Sequence, residues 1–121
     1  MADLTTNYLG LTLKSPIVVS SNPLTYEVAN LRHMEEAGAG AVVLYSLFEE
    51  QIELAEMGFS GYYVQHREEL PEALRHVADM KEYNQGAGSY LAHIYQVKHA
   101  TTMPIIASLN GYYSSGWIRY A

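Results

Sequence analysis

The chain has 121 residues, 49% hydrophobic and 17% charged, with seven basic against thirteen acidic side chains and a formal charge of -6. At that length it forms at most one domain, able to bury roughly two thirds of its unfolded surface, and its composition is that of a folded, soluble protein. The basic residues are spread thinly, which excludes the cationic footprint of a nucleic-acid binder, and the absence of cysteine removes disulfides, thiolate nucleophiles and Cys-based metal sites. Met1 to Lys14 has no basic start followed by an apolar core, and no eighteen apolar residues run together. Neither secretion nor a membrane span is expected, and cytoplasm is the default location.

In chain order, Leu4 to Leu9 and Leu11 to Leu13 flank Gly10 and predict a small hairpin within residues 1–15. Pro16-Ile17-Val18-Val19 is the first of three short, continuous apolar runs, the others being Ala41-Val42-Val43-Leu44 and Pro104-Ile105-Ile106-Ala107. Continuous rather than alternating runs are expected of parallel strands covered on both faces. Between the first two, Val28, Leu31, Met34 and Ala37 recur at three-residue spacing, with Thr25 as the expected cap and Gly38 as the stop. After the second, Ser46-Leu47-Phe48-Glu49 fits a capping box, opening a helix with Phe48, Ile52 and Ala55 on one face.

Residues 58–88 are longer than an ordinary connection, and Leu70, Leu74 and Val77 with Pro71 predict an inserted excursion carrying its own short helix. Ser89 is the expected cap of a further helix in which Tyr90, Ile94 and Val97 share a face, while Lys98 and His99 suit the negative end of its dipole. Past the third run, Ser114 or Ser115 reads as the cap of a helix beginning Gly116-Trp117-Ile118. Right-handed crossovers between the three runs make them parallel. Each run then meets polar or turn-forming residues: Ser20-Ser21-Asn22-Pro23, Tyr45-Ser46 and Ser108-Leu109-Asn110-Gly111. In a parallel α/β fold these carboxyl ends are where binding sites collect.

Three blocks, Asp3 to Ser21, Ala37 to Ile52 and Pro104 to Gly111, occur in that order and resemble the first three strands and following loops of the dihydroorotate dehydrogenase-like family. The resemblance implies an FMN-binding (β/α)8 TIM barrel of which this chain is the opening third, its hairpin able to plug the bottom. It also implies hydride transfer to the flavin from a dihydropyrimidine, a step of pyrimidine biosynthesis. By the same analogy Ser20 and Ser21 lie against the flavin, Ser46 stands near its ring, and Ser108 and Asn110 hold the equivalent edge of the third strand. Two departures matter. Tyr45 stands where classical members carry a lysine, and their asparagine-rich substrate loop is not recognisable in residues 58–88. The catalytic base loop and the glycines that cradle the FMN phosphate belong to later parts of such a barrel, so the chain alone is expected to be inactive.

Plainer readings stand beside these. Serine also ends strands because it solvates a turn, and Asn110-Gly111 is an ordinary turn pair. The histidines at 33, 66, 76, 93 and 99 lack the close pairing of a zinc helix and read as solvated surface residues. Gly86-Ala87-Gly88 reads as a loop breaker rather than an anion site, and Tyr62-Tyr63 and Tyr112-Tyr113 as packing rather than a stacking surface. Glu49, Glu50, Glu53 and Glu56 read as a solvated helix face. A three-stranded partial barrel would also leave a sheet edge and helix-docking surface open. The competing expectation is therefore a non-catalytic, self-associating fragment, or one that pairs with the remainder of the barrel.

Overall fold

The computed structural model describes residues 2–56 and 86–121, so the helical excursion expected over residues 58–88 lies outside the described residues except for its last three positions. The chain divides into two units, Met1–Ser46 with Ala92–Ser108 and Leu47–Leu91 with Leu109–Ala121.

The hairpin forms as expected. Strands β1 (Thr6–Tyr8) and β2 (Leu11–Leu13) pair antiparallel, Tyr8 opposite Leu11. The two residues between them, Leu9 and Gly10, both have positive φ, 52° and 75°, as a tight turn matched to the strand twist requires. Glycine adopts that geometry freely, whereas Leu9 holds it against its own Cβ.

The apolar runs form a parallel three-stranded sheet of order β3-β4-β5: β3 (Val18–Val19), β4 (Ala41–Phe48) and β5 (Ile105–Asn110). Val18 pairs with Ala41 and Val19 with Val42, and the Val42 amide donates to the Pro104 carbonyl. The strand limits differ from those expected. The first strand is only two residues long, and the second runs on through Tyr45-Ser46-Leu47-Phe48. Ser46 is therefore a strand residue, because Tyr45 and Leu47 are buried and continue the two-sided burial of the strand instead of releasing it into a turn. Ser108 and Asn110 likewise lie inside β5.

Helix α1 (Val28–Glu36) follows a short 3-10 turn at Pro23–Tyr26. Asn22 caps that turn, its side chain accepting from the Leu24 amide, while α1 starts after Glu27 with no side-chain capping bond, so Thr25 is not its cap. Thr25 is instead fully buried inside the turn. The helix ends at Gly38 as expected: with φ 103° there, the Gly38 amide reaches the Glu35 carbonyl and the Ala39 amide reaches that of Met34, the paired bonds of a Schellman stop.

In the second unit, α2 (Glu49–Glu56) starts two residues later than the capping box predicted. Phe48 takes the cap position, and Gln51, three residues on, reaches back to accept the Phe48 amide at 2.8 Å, which is half of such a box in a shifted frame. Helix α3 (Ala87–Ala100) begins at Ala87, so Ser89 is an interior residue of its first turn and Ala87-Gly88 are helical rather than a loop breaker. Helix α4 (Ser114–Tyr120) is preceded by Tyr113 as its cap, with no side-chain capping bond, so neither Ser114 nor Ser115 has the expected role. No helix among the described residues is long and apolar enough to cross a membrane.

Leu13, Leu31, Ala41, Val42, Leu44 and Val97 are the most deeply buried apolar side chains of the first unit. Leu31 is the inward residue of α1, and Val97 that of α3. Glu35 joins α1 to the residues entering β5: its Oε1 accepts from the Thr102 amide (2.8 Å), the Thr102 hydroxyl (2.5 Å) and the Met103 amide (2.8 Å). The Thr102 hydroxyl holds the Glu35 carboxyl below the usual range, aided by the two amides and Lys14 against a smaller desolvation cost.

Candidate functional site

Three of the five expected site residues come together. The Ser46 hydroxyl on β4 lies 2.8 Å from that of Ser108 on β5 and 3.4 Å from that of Ser21, which follows β3. The row crosses all three strands of the sheet near their carboxyl ends. A hydroxyl carries one proton and two lone pairs, so Ser46 can donate to only one neighbour, and either direction of donation along the row satisfies it. The row is a chain of neutral hydroxyls and holds no charge.

The other two stand apart from that arrangement. Ser20 is exposed, and its backbone carbonyl accepts from the Asn22 side chain at 2.7 Å, a bond within the turn. Asn110 is the exposed last residue of β5 and belongs to the second unit.

The residue before Ser46 packs in another direction. Successive strand side chains face opposite sides, and Tyr45, 7% exposed, stacks on Tyr26 with ring centroids 3.8 Å apart and an interplanar angle of 19°. His93 of α3 stands 5.3 Å from the Tyr45 ring. Its Nε2 lies 2.8 Å from the Thr25 carbonyl. A carbonyl only accepts, so that nitrogen carries the proton. The Thr25 hydroxyl donates to the Asn22 carbonyl and accepts the Tyr45 amide at 2.7 Å. Thr25, Tyr26, Tyr45 and His93 thus lock the turn after β3 against β4 and set the height of Ser21 beside Ser46.

Sequence reasoning missed this lock. Thr25 was assigned to a helix cap and His93 to the solvated surface, yet Thr25 is fully buried and His93 is half-buried. The signal lay in Tyr45, a bulky aromatic beside a strand serine, which demands partners on the helix side of the sheet. One member of the acidic run is also corrected, while Glu50 and Glu56 are exposed as expected. Glu49 is 2% exposed, and its Oε2 accepts the Tyr112 and Tyr113 amides at 2.7 and 3.1 Å. It packs against Gly116, where any Cβ would overlap its carboxylate. The available signal was helical spacing: Glu49 lies three residues before buried Ile52, on the same face of α2.

Among the described residues no three of His, Cys, Asp and Glu group as metal ligands. Compared with family models, curated proteins and solved structures, the chain finds no match.

Proposed function

We propose that the chain is the N-terminal part of an FMN-dependent oxidoreductase of the dihydroorotate dehydrogenase type, a partial TIM barrel whose serine row meets the polar edge of the flavin. The observation that carries this reading is the row itself: Ser21, Ser46 and Ser108 meet across three parallel strands at the end of the sheet where α/β enzymes bind ligands. The residues fit the ring edge of the cofactor, since an isoalloxazine alternates donors and acceptors and each serine hydroxyl can act as either. They do not supply a cation to that edge, because the position of the family's lysine is held by Tyr45, which carries no positive charge and stacks on Tyr26. When bound, FMN would accept hydride from the dihydropyrimidine ring. The role of this chain is to orient the ring. The base and the phosphate cradle fall to later parts of the barrel, which leaves the chain inactive alone.

Titrating the chain with riboflavin and with FMN, and following flavin fluorescence, tests this. A ring-only site binds the two with equal, weak affinity. Ser46→Val weakens both by about fivefold, the worth of one neutral hydrogen bond of about 1 kcal/mol. Tight binding of FMN with none of riboflavin, or no saturable binding of either, refutes it. The competing reading, a non-catalytic self-associating or partner-binding fragment, draws on the exposed Ile17 and Leu24 beside β3, at 62% and 61%. A strictly monomeric particle in sedimentation removes the self-associating form.

A further inference from the structure

The second unit gathers its aromatic residues where its carboxylates are. Tyr112 and Tyr113 lie side by side, ring centroids 4.1 Å apart at 43°. One turn on, the Trp117 indole lies against Gly111: a Cβ there would sit 3.1 Å from Nε1 and 3.2 Å from Cδ1 and Cε2, a contact tight enough that a larger residue would push the ring back by a few tenths of an ångström. The three rings remain 53%, 57% and 46% exposed. Single exposed aromatics are ordinary, but two exposed rings in contact, with a third exposed ring four residues on, call for a use. The Tyr112 hydroxyl donates to Glu53 Oε2 at 3.4 Å, and Glu53 has no basic partner among the described residues. The basic side chain of α4, Arg119, is already engaged, 3.2 Å from Glu56 and 5.1 Å above the Tyr120 ring.

We propose that Tyr112, Tyr113 and Trp117, with Glu53 beside them, bind an organic cation of the methylated-ammonium class. The faces of aromatic rings carry the negative side of their quadrupole, and a methylated ammonium, being weakly hydrated, gives up little water to lie against them. Glu53 adds full negative charge at the rim. The Tyr112 phenol reports the local field: it is pushed up to about 12 by desolvation of its hydroxyl, then by Glu53, Tyr113 and Glu49. Desolvation opposes charge of either sign, and it is the part due to Glu53 and Glu49 that a cation would relieve. The inference does not depend on the flavin reading, and its test is separate.

Trp117 is the single tryptophan of the chain, so intrinsic fluorescence reports directly on the patch. The whole chain is titrated with choline, with a trimethyl-lysine peptide, and with 3,3-dimethylbutanol, the uncharged carbon analogue of choline. Both cations should give a saturable change, with the neutral analogue weaker by at least about fivefold, as expected for a cation–π gain near 1 kcal/mol. Equal affinities for choline and peptide identify a free headgroup as sufficient, and a tighter peptide identifies a protein-borne one. Glu53→Gln keeps the Tyr112 acceptor and should weaken both cations severalfold with an unchanged circular dichroism spectrum. A neutral analogue that binds as well as choline, the absence of saturation by either cation, or a fluorescence change that follows protein concentration without ligand overturns the proposal.

Discussion

Replacing Gly40 by alanine tests the approach of the chain segment entering β3 to the one entering β4. The Gly40 amide donates to the Ile17 carbonyl at 2.8 Å, and a methyl group built on Gly40 would overlap the Ser15 carbonyl oxygen, with the Ser15 carbon at 3.0 Å and nitrogen at 3.2 Å. Carbon atoms attract best at about 3.5–4.0 Å, so the methyl sits roughly 0.5–1 Å inside contact distance of the Ser15 carbon and deeper still into its oxygen. Its neighbours are backbone atoms, which cannot swing aside as a side-chain tip would. Relief must come from moving the two segments apart, which strains the Gly40–Ile17 bond and the Val18–Ala41 pairing that follows. Overpacking of this kind costs about 1–3 kcal/mol, and a backbone clash belongs at the upper end. At several degrees per kcal/mol for a chain of this size, that is a fall in melting temperature of roughly 10 °C. Gly88→Ala is the control: it lies in α3 with open space at the Cβ position, and alanine should raise stability by about 0.5–1 kcal/mol. Thermal and urea unfolding followed by circular dichroism measure both. A Gly40→Ala protein that melts within experimental error of the parent refutes the close approach.

Glu49→Ala should destabilise by about 2–3 kcal/mol, since it leaves the Tyr112 and Tyr113 amides without their acceptor and opens a cavity beside Gly116; denaturant midpoints measure it, and a loss below about 0.5 kcal/mol counts against a buried clamp. Glu35→Gln should flatten the acid limb of the stability curve. The carboxyl of Glu35 is lowered in the folded state, so its contribution is complete above the ordinary carboxylate range and disappears as pH falls through the lowered value; an unchanged acid limb contradicts this. Tyr112 has the opposite sign: raised to about 12, it leaves stability intact below the ordinary phenol range and withdraws it as pH rises from about 10 toward 12. Absorbance titration of Tyr112→Phe against the parent should remove one phenol that ionises near 12.

The central strand was legible because two-sided burial writes itself as unbroken apolar residues, whereas β3 and β5 carry the same pattern but are only half-buried. Ala41 to Leu44 reads the same in sequence as in the fold, and so does the hairpin, whose Gly10 marks a turn that few residues can make. The glycine stop at Gly38 was legible for the same reason. Caps were the weak point. Ser46, Ser89 and Ser114 each looked like the start of a helix, yet capping depends on where the backbone leaves its strand or loop, and that is set by whether neighbours such as Tyr45 and Leu47 find partners. Of the candidate site, serines at the strand ends could be named in advance, but not which of them would touch.

By itself the sequence determined the kinds of elements, their order and the polar residues that end the strands, because these follow from local periodicity and from the conformational limits of single residues. Tertiary structure alone decided that Ser21, Ser46 and Ser108 meet while Ser20 stays exposed outside the row. It also decided that Glu49 is a buried clamp rather than a solvated charge. The physical reason is common to both: a hydroxyl or a carboxylate takes its role from the partner that replaces its lost water, and that partner comes from residues tens of positions away in the chain.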